Sequence, residues 1–288
     1  MNFHRPPTFA DASRIAAAAS GLTRFLAGGT DVLVQLRAGM VTPEDLIDVK
    51  QIPGVFDVVR TADGGWRIGV AVSGMDLRRH EDLRAEWPGV VEGMNLVGST
   101  QVQGRATLVG NLCNGSPAAD SVPGLVAAGA MVEVTNAAGV RVVPVETIPA
   151  GPGKTTLQKG DVISAVILPP RGEKGGDAYL RFIPRTEMDI AVVGCAVSLT
   201  VEADVIRAAR VALGAVAPTV LLVEEAAAAI IGTTLDDAAL AALGKAAEGA
   251  AKPITDRRGT KEFRIELAGV LARRAAKIAY DRAKGTAK

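Results

Sequence analysis

The residues best placed to do chemistry in this chain are glycines and hydroxyls rather than acids, bases or thiols. Ala27-Gly28-Gly29-Thr30-Asp31 follows a short stretch ending in apolar residues, Thr23 to Leu26, and precedes a run in which Val32, Leu33 and Leu36 fall on one helical face. Glycine lets the backbone approach an anion closely, and free N–H groups at a helix start point toward it. A dinucleotide pyrophosphate suits such a turn. Taken alone, its commoner meaning is a tight strand-to-helix connection without a ligand. A second stretch shifts that balance: Gly98-Ser99-Thr100, Gly104, Thr107-Leu108-Val109-Gly110-Asn111, Asn114-Gly115-Ser116 and Asp120 form a polar, glycine-punctuated segment of a length that is usually functional. Asp120 either accepts from a ribose hydroxyl or caps the helix suggested by Ser121 to Ala128.

Other chemistries find no support. Gly153-Lys154-Thr155 looks like the end of a Walker A loop, but the earlier glycine would fall at Ile148 and no strand leads into it. No strand is followed by G-x-G-x-x-G, which argues against a standard Rossmann NAD site. There is no Gly-x-Ser-x-Gly elbow, no helical His pair and no Cys with a nearby His. Glu187 and Asp189 read as polar residues at a strand entry. Cys113 and Cys195 cannot supply four thiolates, so an iron–sulfur cluster would sit on another chain. His4 and His80 are far apart in sequence, and His80 lies in a charged run, Arg78 to Asp82, expected on a solvated helical face.

Composition narrows the class further. The 32 Lys and Arg against 31 Asp and Glu leave a net charge of +1, and aromatics are only 3%, which excludes a general nucleic-acid binder working by bulk charge and stacking. No apolar run approaches the ~20 residues that span a bilayer, and Met1 to Ser20 lacks the pattern of a secretory signal. The expected location is the cytoplasm, and Asn114-Gly115-Ser116 is then a chance glycosylation match.

Three lobes must position these segments: residues 1–55, 56–175 and 176–288. The first reads as a helix over Ala10 to Ser20, the strand Thr23 to Leu26, the glycine turn, a helix stopped by Gly39, and a strand over Leu46 to Lys50. The second holds two hairpins, Phe56 to Thr61 with Trp66 to Val72, and Met131 to Thr135 with Val140 to Val145. A further strand covers Asp161 to Leu168, and helices cover Ser73 to Glu86 and Gly89 to Leu96. Pro169 to Gly176 is a linker of prolines, glycines and charges. Beyond it, Ala178 to Ile183, Ile190 to Val201 and Arg207 to Val216 read as strands. Val220 to Ile231, Leu235 to Ala251 and Thr260 to Lys284 read as packed amphipathic helices rich in alanine.

The whole chain resembles the FAD-binding medium subunits of the xanthine dehydrogenase and carbon monoxide dehydrogenase group. The resemblance is carried by Ala27 to Asp31, by Thr107 to Asn111 against the family's Thr-Ile-Gly-Gly-Asn, and by Pro117-Ala118-Ala119-Asp120. It continues through Tyr179-Leu180-Arg181, Arg185, Asp189-Ile190-Ala191, and Asp256-Arg257-Arg258 with Glu262-Phe263-Arg264. It implies an α+β fold of three lobes: a small α/β lobe, a mixed lobe, and a C-terminal three-stranded antiparallel sheet with helices. FAD would lie between the first two lobes with its ring facing the third. The implied cofactor-binding residues are Ala27, Gly28, Gly29, Thr30, Asp31, Thr107, Gly110, Asn111, Asp120, Ile163, Arg181 and Ile190. Asp120 would take the adenosine ribose.

The resemblance also implies partners: a large subunit with a molybdenum cofactor and a small one with two 2Fe–2S clusters, in a dimer of heterotrimers, with electrons leaving through this chain's FAD. Two positions depart from the pattern. Val109 replaces the first glycine of the second turn, so that point is expected to lack glycine-only angles and to sit farther from the phosphates. Ile190 stands where some members carry an aromatic shielding the flavin. A self-sufficient flavin reductase and an FAD-less scaffold subunit are the alternative readings.

Overall fold

In the computed structural model, which describes residues 1–286, the chain opens with three parallel strands, β1 (Asn2–His4), β2 (Thr23–Leu26) and β3 (Asp45–Asp48), in the order β1-β3-β2. Parallel neighbours require crossovers. These are supplied by α1 (Phe9–Ala18) and α2 (Val32–Arg37). The Thr8 hydroxyl caps α1 by accepting the Asp11 N–H at 3.1 Å, and the helix buries Ala12, Ser13 and Ala16. The apolar spacing of α2 predicts an inward face, yet none of its residues is buried. Its inner side, with Val32 and Gln35, borders a cavity instead of a core.

The next section carries β4 (Val58–Arg60) and β5 (Trp66–Gly69), then six short helices: α3 (Gly74–Arg79), α4 (Glu81–Glu86), α5 (Pro88–Asn95), α6 (Thr100–Gln103), α7 (Leu108–Cys113) and α8 (Ser121–Ala127). It ends with β6 (Met131–Asn136), β7 (Gly139–Pro144), a two-stranded hairpin of β8 (Pro149–Gly151) and β9 (Lys154–Thr155), and β10 (Val162–Leu168). The main sheet runs β4-β5-β10-β6-β7, antiparallel throughout, with the buried apolar strand β10 at its centre. Both expected hairpins are present. The single helix expected over 73–86 is broken at His80, where ψ reaches 95°. His80 Nδ1 accepts the Leu83 N–H at 3.3 Å, and its ring sits edge-on to Trp66 with centroids 5.0 Å apart. It is therefore a helix cap on the core margin, not a solvated side chain.

The C-terminal section adds β11 (Gly175–Phe182), β12 (Val193–Glu202), β13 (Val205–Gly214) and β14 (Leu221–Leu222), followed by α9 (Glu224–Ala228), α10 (Asp237–Ala250) and α11 (Lys261–Ala283). The sheet order is β11-β12-β13-β14, so the expected three strands are four. Leu221 and Leu222, read as the start of a helix, instead pair with Leu213 and Ala212 at the sheet edge, and the helix starts only at Glu224. Ile190, read as the first residue of a strand, lies in the loop before β12, beyond the last β11–β12 pair, Phe182 with Val193. On α11 the buried alanines 268, 272, 275, 276 and 279 let helix and sheet approach closely. A Cβ at Gly176 would stand 2.0 Å from the Ala279 carbonyl oxygen.

Two apolar clusters result. One joins the first two sheets, with Ile47 and Val49 packed among the same buried residues as Ile68, Val134 and Val166. The other fills the C-terminal section around Leu199, Ile206 and Leu213. Each of those three side chains is at most 2% exposed, which makes each burial worth roughly 1.5–3 kcal/mol. No helix among the described residues is long and apolar enough to cross a membrane.

Candidate cofactor site

A cavity of about 700 Å³ is walled by β2, the turn after it, α2, α7 and the segment from Gly153 to Ile163. The size falls in the range of roughly 300–1,000 Å³ usual for cofactor sites. Nine of the twelve residues expected to hold the cofactor line it: Ala27, Gly28, Gly29, Thr30, Asp31, Thr107, Gly110, Asn111 and Ile163. The two turns, some 80 positions apart in the chain, therefore share one wall.

Each turn presents unused donors. Among the described residues, the N–H groups of Gly29, Thr30, Asp31 and Val32 donate to no protein acceptor; the first donor of α2 to find one is Leu33, to the Gly29 carbonyl at 3.1 Å. At the second turn the Thr107 hydroxyl accepts the Gly110 N–H at 2.9 Å, and among the described residues the Val109 N–H is left without an acceptor. Orphan N–H groups at helix starts gain most from an anion. Gly29 has φ +79°, a left-handed angle that glycine adopts without strain. Gly28 is required for packing: a Cβ there would stand 1.9 Å from the Arg105 carbonyl oxygen.

Val109 does not behave as its substitution suggested. It is the second residue of α7, has no positive φ, is 6% exposed and lines the cavity. A helical residue needs no glycine, so valine fits here without displacing the turn. On the far side, Asn114 Nδ2 donates to Asp31 Oδ1 at 3.3 Å, and Gln35 Nε2 donates to Asn114 Oδ1 at 3.4 Å, tying α2 to the end of α7. Desolvation raises the Asp31 pKa above the usual carboxylate value. Cys113, also in the wall, is solvent-exposed and has no His beside it in the lining.

Asp120, Arg181 and Ile190 lie outside the cavity wall. The Asp120 carboxylate accepts the Tyr179 hydroxyl at 2.8 Å and the Arg181 guanidinium at 2.5 Å, joining the start of α8 to β11. It makes no capping bond either, because its own angles, φ −62° and ψ −33°, are helical rather than extended. Burial outweighs the Arg181 charge and lifts its pKa to about 6. Ile190 is 53% exposed on a loop held by Asp189, which accepts from Arg185 at 3.3 Å and Arg258 at 3.2 Å. A backbone N–H and these two cations bring the Asp189 pKa down to about 2.

Sequence reasoning missed the floor of the cavity, Gly153, Thr155 and Leu157 to Val162. Gly153-Lys154-Thr155 sits in the β8–β9 hairpin, which docks through the Gly153 N–H on the Gly115 carbonyl at 2.9 Å. The floor is then fixed by Asp161, whose carboxylate takes Arg141 on both oxygens, Asn136 at 2.9 Å and the Gln158 N–H at 2.8 Å. Arg141 leads the causes that lower its pKa to about 2. A depressed carboxylate stabilises the fold above its unfolded value and loses that contribution as pH falls toward about 2. Asp161→Asn is expected to cost roughly 1–2 kcal/mol at neutral pH, since Arg141 is 42% exposed and the pair is partly screened. Urea unfolding should show the loss at pH 7 and a smaller gap between variant and wild type in acid.

Comparison with known proteins identifies the family and its cofactor. Residues 1–171 match the model for the FAD binding domain in molybdopterin dehydrogenase, and residues 178–279 match the CO dehydrogenase flavoprotein C-terminal domain. The chain belongs to the molybdopterin dehydrogenase FAD-binding family. It is 30% identical over 267 residues to the xanthine dehydrogenase FAD-binding subunit of Escherichia coli O157:H7, covering 92% of this chain and 91% of that one. It is 32% identical over 284 residues to the carbon monoxide dehydrogenase medium chain of Afipia carboxidovorans, covering 99% and 98%. The solved structure of reconstituted CO dehydrogenase from Oligotropha carboxidovorans superposes with a TM-score of 0.92 at 30% identity, covering 98% of each chain.

FAD is accordingly the cofactor, and the chain is an oxidoreductase subunit that works within a complex. The residues present fit the group: the unpartnered N–H groups of both turns suit its pyrophosphate, and the absence of a side chain at Gly28 lets the first turn pack directly on the Arg105 carbonyl beside the second. When bound, FAD supplies the redox chemistry, and the chain supplies binding, orientation and electrostatics.

Proposed function

We propose that this chain is the electron-transfer subunit of a heteromeric molybdenum hydroxylase. In this reading a large partner with a molybdenum cofactor oxidises the substrate, a small partner with 2Fe–2S clusters relays the electrons, and this chain holds FAD where they leave for an external acceptor. The assembly is a dimer of such heterotrimers in the cytoplasm. Residues 1–55 and 56–175 are the halves that clasp the cofactor, and 176–288 form the lobe facing its ring. The observation that carries the proposal is the cavity itself. It has unused N–H donors at both turns and, among the described residues, two carboxylates in its wall, Asp31 and Asp161. The second of these is consumed by Arg141, Asn136 and the floor segment. The site is built to hold a redox group rather than to transform a substrate by acid–base chemistry.

The test is to purify the chain with its partner subunits and follow the flavin absorbance under anaerobic conditions. One FAD per chain is expected, bleached by the substrate of the large subunit only when the iron–sulfur subunit is present. Turnover by the isolated chain would favour the self-sufficient reductase. An assembly that transfers electrons without flavin would leave this chain a scaffold and overturn the proposal.

A further inference from the structure

Arg105 lies two residues before Thr107 and outside the cavity wall, yet both its main chain and its side chain bear on the first turn. Its carbonyl oxygen occupies the space next to Gly28 where a Cβ would otherwise be, and its Nε–H donates to the Gly28 carbonyl at 3.0 Å. A trans peptide is planar, with its C=O and N–H pointing in opposite directions. Holding the Gly28 carbonyl toward Arg105 therefore aims the N–H of the same peptide, that of Gly29, away from Arg105 and toward the cavity that Gly29 lines. That N–H has no protein acceptor among the described residues.

The Gly28–Gly29 peptide is the one in this turn most free to rotate, because neither flanking residue carries a Cβ. Rotated by half a turn, it would present a carbonyl oxygen to the cavity in place of a donor, against the negative pyrophosphate. We infer that Arg105 is a positioning residue for the cofactor, locking the orientation of the Gly28–Gly29 peptide so that the first turn offers an N–H and not a C=O. The guanidinium acts through Gly28 and does not itself touch the cavity. The inference rests on the cavity being the FAD site, and it adds a determinant of pyrophosphate affinity on the opposite side of the turn from the ligand.

The test uses the full chain with Arg105→Met, which keeps the aliphatic stem, and Arg105→Lys, which keeps a cationic donor. FAD and ADP are titrated onto the flavin-free chain. Arg105→Met is expected to weaken both by about tenfold, the scale of one lost charge-assisted hydrogen bond. Arg105→Lys should recover most of this, and the Gly29 amide resonance of the ¹⁵N-labelled protein should shift on adding ADP to wild type but not to the Met variant. A role confined to fold stability would lower the unfolding temperature of both variants while leaving the ADP-induced Gly29 shift in place, and that result overturns the inference. So does an Arg105→Met chain that binds ADP as wild type does. A wild-type chain that takes up neither FAD nor ADP would instead sink the assignment of the cavity.

Discussion

Gly28→Ala is expected to yield a chain that folds but is purified nearly free of flavin. The added methyl would stand 1.9 Å from the Arg105 carbonyl oxygen and 2.8 Å from its carbon, both main-chain atoms fixed by the Gly74 N–H to Ala106 carbonyl bond at 2.9 Å beside them. No rotamer change relieves such a contact, so the two turns must separate. Overpacking of this kind costs about 1–3 kcal/mol in stability. The separation falls across the N–H groups of both turns that must converge on one pyrophosphate, so affinity should drop by at least about a hundredfold. Gly29→Ala provides the contrast. There the neighbours at 2.9 Å are the δ-carbons of Leu26 and Leu33, flexible ends that can yield, and the remaining cost is that of a left-handed alanine, about 1 kcal/mol. Flavin content per chain and FAD titration should rank wild type above Gly29→Ala and Gly29→Ala far above Gly28→Ala. A Gly28→Ala chain with full flavin would show that the turns do not meet as described.

The sequence revealed the parts of the site whose signals are local. A strand ending at Leu26, two glycines and an apolar run at helical spacing identify the first turn, and the polar, glycine-punctuated run from Gly98 to Asp120 identifies the second. Central strands were legible for a similar reason: β10 is a β-branched apolar run bounded by Gly160-Asp161 and Pro169-Pro170. What stayed hidden depends on distant parts of the chain. The floor from Gly153 to Val162 has no period, and it becomes a wall only because Gly153 docks on Gly115 and Asp161 gathers Arg141 and Asn136. Val109 looked like damage to a glycine motif because sequence does not show that the position is helical. Arg105 carried no motif at all, and its meaning comes from a carbonyl 77 positions away.

Asp120 is where resemblance and geometry assign one carboxylate different work. In the fold it neutralises Arg181, whose side chain is 6% exposed, and receives the hydroxyl of Tyr179, which is 2% exposed. Asp120→Ala would leave a buried guanidinium unpaired and a buried hydroxyl without its acceptor, a loss of about 3–5 kcal/mol. Removing the charge at both ends with Asp120→Ala and Arg181→Met should cost clearly less than the sum of the single changes. Because burial raises the Asp120 pKa to about 6, the folded state holds this proton more tightly than the unfolded chain does. The sign is therefore opposite to that of Asp161: this carboxyl favours the fold most at low pH, and its contribution falls as pH rises from its ordinary range through about 6. Asp120→Asn should remove that fall, seen by comparing urea unfolding at about pH 4.5 and about pH 7. FAD affinity should change less than in Gly28→Ala, since the side chain is outside the wall. A variant at Asp120 that keeps wild-type stability and loses FAD would reverse the assignment and make this carboxylate the ribose ligand that its Pro-Ala-Ala-Asp setting implies.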